Sequence, residues 1–262
     1  MTSGKQARKQ RQVAARPPVR STEGRKASPK VVAGVLVGVA VVIAVVAAVL
    51  ALTGGSSSGS ASTVGSTLPD SDVISQQLAG IPQQGNVLGK ATAPVTMVEY
   101  IDLQCPVCRQ FETSTMPTIL QRYVRTGKVK VIARPIVVIG PDSETGRRAT
   151  LAAGLQNKLY NFSQVLYFNQ GEENSGWLDD QMVTDAATSV PGLNVQRLQN
   201  EQSGSTVLDQ AKTDDQQAQA DAVAGTPTVL VGKSGGKLAS LGAGDPGVDA
   251  LSAAIENALK QS

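Results

Sequence analysis

The sequence predicts an α/β domain in which an inserted helical subdomain separates two halves of one sheet, preceded by a single N-terminal transmembrane helix. Two β-rich stretches lie before residue 140 and two more lie after residue 227, with a long block rich in Ala, Gln, Leu and Asp between them. This order, β-α-β, then helices, then β-β-α, is the first observation behind the prediction. The second is an apolar run at residues 31–52, since about 20 such residues span a bilayer as a helix.

The charge of the N-terminal segment sets the expected orientation of this anchor. Residues 1–30 hold nine Lys and Arg residues and one acid, Glu23, a net charge of +8, so with +3 for the whole chain the remaining residues sum to −5. Positive charge stays on the cytoplasmic side of a membrane. We therefore expect a basic cytoplasmic tail at 1–30, a single-pass cell-membrane helix at 31–52 and an extracytoplasmic domain after it. The acidic balance of that domain gives no support to nucleic-acid binding.

A cleaved signal peptide is the alternative interpretation of the same run. The apolar region of a signal peptide is usually about 7–15 residues long and ends at an Ala-x-Ala-like site. The run at residues 31–52 is longer, and the Thr-Gly-Gly-Ser sequence after it offers no clear cleavage site. The sequence therefore favours an uncleaved anchor.

The order of elements after the anchor follows from composition and periodicity. Residues 53–85 are expected to form a flexible Gly/Ser-rich linker, with a partly ordered lead-in to the domain at residues 68–90. The folded domain is predicted at 86–262, with its helical insertion at about 143–222. The other predicted elements are a buried strand at 94–101, a helix from 108 to about 125 that Pro117 kinks, a strand at 129–138 that Pro135 interrupts, a hairpin of strands 228–232 and 237–241, and a helix at 245–260.

Two cysteines, Cys105 and Cys108, are the only ones in the chain, and they directly follow the first predicted strand. Pro106 suits the first position of a helix. Cys105 then lies at the helix N-terminus, where free N–H groups and the helix dipole favour a thiolate. Asp102 and Gln104 are predicted to cap the helix start. This arrangement predicts a redox-active pair, in which Cys108 can attack a mixed disulfide formed at Cys105.

Other uses of a Cys-x-x-Cys motif fit this sequence less well. Zinc would need two further ligands, and the chain has no other Cys and no His, so no metal is expected. A c-type haem needs a His after the second Cys, where Arg109 stands. A purely structural disulfide across so short a loop would stabilise little. No Gly-x-Gly-x-x-Gly follows a strand, and no organic cofactor is implied.

Three segments carry a resemblance to a known family. The stretch 95–112, VTMVEYIDLQCPVCRQFE, resembles the DsbA-like thiol–disulfide oxidoreductases of the thioredoxin superfamily. Gly225-Thr226-Pro227-Thr228 is similar to the superfamily's cis-proline loop, and residues 149–170 are similar to the helical insertion that distinguishes the DsbA-like proteins from plain thioredoxin. The resemblance implies a thioredoxin-like fold over residues 86–262. With the anchor, the whole chain resembles the membrane-tethered members found in Gram-positive bacteria.

The resemblance also implies roles for three residues beside the cysteines. Pro227 would be the cis-proline, and Thr226 would pair its backbone with an incoming peptide and offer its hydroxyl to the Cys105 thiolate. Glu99 would be the buried acid that relays a proton to or from Cys108. The plainer alternatives are an ordinary proline at the start of a strand and a solvated strand carboxylate.

Val107 departs from the family pattern. The strong oxidants of the family carry His at this position, and its positive charge stabilises the thiolate. Val offers neither charge nor hydrogen bond, so we expect the pKa of Cys105 to be less depressed and the pair to be a weaker oxidant than in those relatives. Pro106 and Val107 would instead form an apolar collar suited to hydrophobic substrate segments.

The function implied is that of an enzyme, an extracytoplasmic protein-disulfide oxidoreductase that forms disulfides in exported proteins with free thiols. A substrate thiolate would attack Cys105, and a second would resolve the mixed disulfide. Reoxidation would need a membrane redox partner, such as a quinone-linked protein. Two alternatives stay open: a reductase or isomerase kept reduced by a membrane electron donor, and a non-catalytic tethered peptide-binding domain.

Overall fold

The computed structural model describes residues 65–261. The described residues belong to one compact unit. The expected basic tail, the transmembrane helix and residues 53–64 of the expected linker lie outside the described residues. Between residues 65 and 261, no helix is both long enough and apolar enough to cross a membrane.

One mixed six-stranded sheet forms the centre of the domain, in the order β1-β2-β4-β3-β5-β6. β3 runs parallel to β4 and antiparallel to β5, so the two halves predicted from the sequence join along β3. The strands are β1 Gln83–Gln84, β2 Val87–Leu88, β3 Val95–Ile101, β4 Val129–Pro135, β5 Thr228–Lys233 and β6 Ala239–Ala243.

The central strand β3 is buried along its whole length, as predicted, because neighbouring strands cover both edges and packed layers cover both faces. Successive side chains of a strand point to opposite faces. Met97 and Ile101 accordingly join the large core that contains both cysteines, whereas Val98 and Tyr100 join a smaller cluster on the other face. The cysteine pair therefore follows a strand that is fixed from every side.

The helical segment after β3 widens twice from an α-helix to a π-helical turn. It consists of α2 Pro106–Gln110, a π-helical turn Phe111–Thr115, α3 Met116–Ile119 and a second π-helical turn Leu120–Val124. The Met116 N–H donates to the Phe111 carbonyl five residues earlier, and Pro117 has no N–H to continue the pattern. The disturbance expected at Pro117 thus takes the form of a widened turn before it.

Two predicted element boundaries are wrong in detail. β4 ends at Pro135, where the sequence predicted an interruption, but the strand does not resume over residues 136–138 as expected, because proline cannot donate to the ladder. β6 begins at Ala239, two residues later than predicted, after a turn in which Gly235 has a φ of 79°. The last helix, α9 Gly247–Lys260, follows the hairpin and buries its apolar face against the large core.

Five helices, which we call the helical block, connect β4 to β5 within the described residues. The predicted insertion at about 143–222 is therefore present, with breaks at residues 155–158 and 202–204 that the sequence did not reveal. Asn157 has a φ of 58°, and this left-handed conformation ends the first helix. The helices are α4 Pro141–Gly154, α5 Leu159–Phe168, α6 Asp180–Thr188, α7 Val195–Glu201 and α8 Ser205–Ala220.

The predicted flexible linker at 53–85 is wrong for its C-terminal part. Residues 71–78 form helix α1, and Ile74 and Leu78 are buried in the large core together with Ile81. Ile74 and Leu78 lie one helical turn apart on the same face of α1, and Ile81 follows the helix. The folded region therefore begins before residue 86, and the β1–β2 hairpin adds two strands to the sheet edge.

Candidate active site

Cys105 and Cys108 lie where β3 passes into α2, and both are free thiols buried in the structure. Cys105 is the N-cap residue of α2, with φ −70° and ψ 120°, and Pro106 occupies the first helical turn. The Cys108 N–H donates to the Cys105 Sγ over 3.5 Å. The sulfur thus takes the place of the side-chain oxygen that usually caps a helix.

The two thiols differ in acidity. The hydrogen bond from the Cys108 side chain, helped by the backbone N–H groups of Cys108 and Val107, outweighs burial and lowers the pKa of Cys105 to about 6. Burial raises the pKa of Cys108, and the neighbouring Cys105 raises it further. At neutral pH the pair therefore carries one negative charge, located on Cys105.

The loop before β5 meets the cysteine pair. The Thr226–Pro227 peptide bond is cis, and the Cys105 thiol donates to the Thr226 carbonyl over 3.3 Å. The sequence predicted a hydrogen bond between Cys105 and the Thr226 hydroxyl. In the structure the protonated Cys105 thiol donates to the Thr226 carbonyl instead. The hydroxyl is buried without a partner among the described residues, and Thr226 contributes to the lowered pKa of Cys105. It is therefore available to the thiolate.

Glu99 is fully buried in the middle of β3, so the alternative of a solvated carboxylate is wrong. Its position in the strand places it on the same face as Met97 and Ile101, toward the core that contains Cys108. Neither carboxyl oxygen has a hydrogen-bond partner among the described residues. Burial, and then the charge of Glu112, raises the pKa of Glu99 well above its usual range, which favours a protonated carboxyl.

Glu112, a second buried acid, was missed by sequence reasoning. It lies four residues after Cys108, in the first π-helical turn, and accepts a hydrogen bond from the Gln164 side chain. Burial raises the pKa of Glu112 to about 8, although the bond from Gln164 opposes the shift. The signal in the sequence was its spacing: residues 108 and 112 share one helical face, and Phe111 beside it marks that face as core.

The predicted capping role of Asp102 and Gln104 is wrong, because Cys105 caps the helix itself. The Asp102 carboxylate is fully buried and accepts hydrogen bonds from the N–H groups of Val138 and Ile139, as well as from the Gln104 N–H. These hydrogen bonds to Asp102 connect the loop after β4 to the turn that precedes the cysteines.

Three exposed valines, Val107, Val137 and Val138, which we call the apolar rim, lie at the end of the sheet from which the cysteine turn leaves. These side chains are 39%, 37% and 50% exposed, and Pro106 beside them is also exposed. Val137 and Val138 were not anticipated from the sequence. They belong to the site because β3 and β4 are parallel, so the loops that follow the two strands leave the same end of the sheet.

The rest of the described surroundings offer no metal site. Across residues 65–261, no group of three or more His, Cys, Asp or Glu side chains could hold a metal ion. The arrangement that the fold provides is a strand, a Cys-Pro-Val-Cys turn, a helix and a facing cis-proline. This combination defines a thioredoxin-fold protein with a dithiol site.

Comparison with known proteins supports this class. The family model described as Thioredoxin matches residues 83–257. A probable disulfide bond formation protein D from Bacillus cereus is 29% identical over 177 residues, which cover 66% of this chain and 78% of the relative. The chain belongs to the thioredoxin family and is a DsbA-like thiol–disulfide oxidoreductase.

Two solved structures agree with this assignment. The crystal structure of oxidised BdbD from Bacillus subtilis has a TM-score of 0.59 and 25% identity, covering 69% of this chain and 97% of that one. A thioredoxin-like oxidoreductase from Silicibacter pomeroyi has a TM-score of 0.56 and 26% identity, covering 67% and 92%. The thioredoxin-like fold expected from the sequence is thus confirmed.

Proposed function

We propose that the chain works as an oxidant, forming disulfides in exported proteins through Cys105 and Cys108. The observation that carries this proposal is the asymmetry of the two thiols, with the pKa of Cys105 lowered to about 6 and that of Cys108 raised. A stabilised Cys105 thiolate favours the reduced form, and a pair with a stable reduced form is a strong oxidant when its disulfide is closed. The B. cereus relative is itself named as a probable disulfide bond formation protein D.

The proposed reaction has two exchange steps. A substrate thiolate attacks the Cys105 sulfur of the oxidised pair; a bond forms between the two sulfurs, the Cys105–Cys108 bond breaks, and Cys108 leaves as a thiolate and takes up a proton. A second substrate thiolate then attacks the substrate sulfur of the mixed disulfide and expels Cys105 as a thiolate. Two electrons pass from two substrate thiols to the pair, and the substrate gains one disulfide.

The neighbouring residues have proposed roles in these steps. Glu99 exchanges the proton of Cys108, because both groups face one core and the raised pKa of Glu99 favours a protonated carboxyl. Thr226 and Pro227 present backbone to an extended substrate segment beside Cys105. The apolar rim, with Pro106, accommodates hydrophobic side chains that flank the substrate cysteine.

Membrane attachment is part of the proposal. The charge of residues 1–30 and the apolar run at 31–52 support a single-pass anchor, with the oxidoreductase domain on the extracytoplasmic side, where disulfides persist. The anchor would keep the domain close to a membrane redox partner, such as a quinone-linked reoxidase, that removes the two electrons. No cofactor is required of the chain itself.

Trapping experiments test the direction of the reaction. In cells that express the full chain, we expect the pair to be largely oxidised, and we expect Cys108→Ala to accumulate mixed disulfides with exported proteins. Cys105→Ser is the matched control and should abolish both oxidation and trapping. A pair found fully reduced in cells, with a donor-dependent redox state, would instead indicate a reductase or isomerase.

A further inference from the structure

Gln170 reaches from the helical block to the cysteine turn. It follows the end of helix α5 and is partly buried. Its side-chain Nε2 donates to the Leu103 carbonyl over 2.8 Å and to the Cys105 carbonyl over 3.2 Å. Both N–H bonds of one amide are therefore directed at the backbone that leads into the nucleophile.

Gln104 reaches in the opposite direction, from the cysteine turn into the helical block. Its side chain is fully buried, and its Nε2 donates to the Ser143 hydroxyl over 3.0 Å and to the Asn174 side-chain oxygen over 3.4 Å. Its Oε1 accepts the Asn174 N–H over 2.8 Å. The amide of Gln104 is thus hydrogen-bonded through both its oxygen and its nitrogen, although its neighbours on the chain lie in an irregular turn.

We propose that Gln104 and Gln170 are positioning residues, an amide latch through which the helical block holds the backbone of Cys105 in the conformation that stabilises its thiolate. The inference rests on the proposed function, because it concerns exchange at Cys105. It adds to that function a role for the helical block, which holds the backbone of Cys105 in addition to forming part of the surface around the site.

The physical reason lies in the dihedral angles of Cys105. Its sulfur receives the Cys108 N–H only while ψ of Cys105 stays near the observed 120°, since this angle directs α2 relative to the side chain. The orientation of the Cys105 carbonyl defines ψ. That carbonyl accepts from Gln170 and from the Arg109 N–H at 3.0 Å. Without Gln170 the peptide can rotate, and hydrogen bonds to the sulfur weaken steeply when their geometry worsens.

The neighbouring residue provides a matched control. Asn169 also follows α5 and also donates from a side-chain amide to backbone carbonyls, those of Pro69 at 3.3 Å and Val165 at 2.9 Å. Neither carbonyl belongs to the cysteine turn. Removal of the Asn169 amide therefore disturbs the end of the same helix without loosening Cys105.

The test compares Gln170→Met with Asn169→Ala in the full chain. Methionine keeps the length of the side chain and removes both donors. We expect the pKa of Cys105, read from thiolate absorbance, to rise from about 6 toward 7, which lowers the thiolate population at pH 6 about fivefold. The equilibrium constant with glutathione should disfavour the reduced pair by about the same factor at pH 7. Asn169→Ala should change neither quantity.

A second variant protects the test against a folding defect. Asn174 has a φ of 54°, a conformation that glycine adopts readily, so Asn174→Gly should fold while it removes one of the bonds to Gln104. We expect a smaller rise in the pKa of Cys105 with the same sign. The proposal is wrong if Gln170→Met changes only the melting temperature, or if Asn169→Ala shifts the pKa of Cys105 equally. A parent chain that fails to exchange with glutathione would refute the proposed function instead.

Discussion

The buried carboxyl of Glu112 yields a quantitative prediction about stability. Burial raises its pKa from the ordinary 4.5 to about 8, so the folded chain keeps this proton at pH values where the unfolded chain releases it. The sign follows directly: stability falls as the pH rises from about 4.5 to about 8, because the unfolded state is the better acid. A tenfold difference in proton affinity is worth about 1.4 kcal/mol, so at pH 7 the cost to the folded state is about 3 kcal/mol.

The variant Glu112→Gln should remove this cost. Glutamine has nearly the same shape as glutamate and does not titrate. It can still accept from the Gln164 amide, and its own NH₂ can donate to the Gln164 oxygen, which has no partner among the described residues. We expect the variant to be more stable than the parent by about 3 kcal/mol at pH 7 and by no more than about 1 kcal/mol at pH 5.

Urea denaturation at the two pH values measures the difference. Trp177 is the only tryptophan of the chain and lies in the described domain, so its fluorescence reports unfolding of that domain. Glu172→Gln, at an exposed position, is the matched control and should stay within about 0.5 kcal/mol of the parent at both pH values. Parallel pH profiles for parent and Glu112→Gln, or a variant less stable at pH 7, would refute the reasoning.

Three further predictions concern the cysteine pair and helix α1. Alkylation of the reduced chain should increase with pH around a midpoint of about 6, the lowered pKa of Cys105, and a midpoint above 8 would contradict the structure. Val107→His should make the pair a stronger oxidant against glutathione, since a cation would face the thiolate. An unchanged equilibrium constant with glutathione would contradict this prediction. Ile74→Ala should cost about 2–4 kcal/mol in urea denaturation, because the side chain is buried, whereas Val73→Ala at a 53% exposed position should cost little; equal effects would mean that helix α1 is not part of the fold.

The polar surface of helix α1 explains why the sequence did not reveal it. Its residues read SDVISQQL, and only Ile74 and Leu78 are large apolar side chains that become buried. Such a short pattern after a Gly/Ser-rich stretch resembles a linker. The helix is stabilised by the large core against which it packs, and that surface exists only after the rest of the domain has folded.

The cysteine site was predictable to the extent that its geometry is local. Pro106 begins the helix and Cys105 precedes it, so the low pKa of Cys105 follows from a spacing of a few residues. The same spacing did not reveal that Cys105 is its own cap or that Asp102 turns away to hold the loop after β4. The position of Asp102 depends on β4 lying parallel to β3, which is a property of the sheet.

By itself, the sequence predicted the cysteine pair at the start of a helix and the order of strands and helices, because these patterns are encoded within a few neighbouring residues. Its resemblance to the DsbA-like family predicted the cis-proline. Only the tertiary structure decided which acids lose contact with water and which amides reach the reactive turn. Glu112 is buried by contacts that include Gln164, 52 positions away, and Gln170 reaches Cys105 across 65 positions. Burial and long-range hydrogen bonds arise only when distant segments pack together, and burial of this kind raises the pKa values of Glu99 and Glu112.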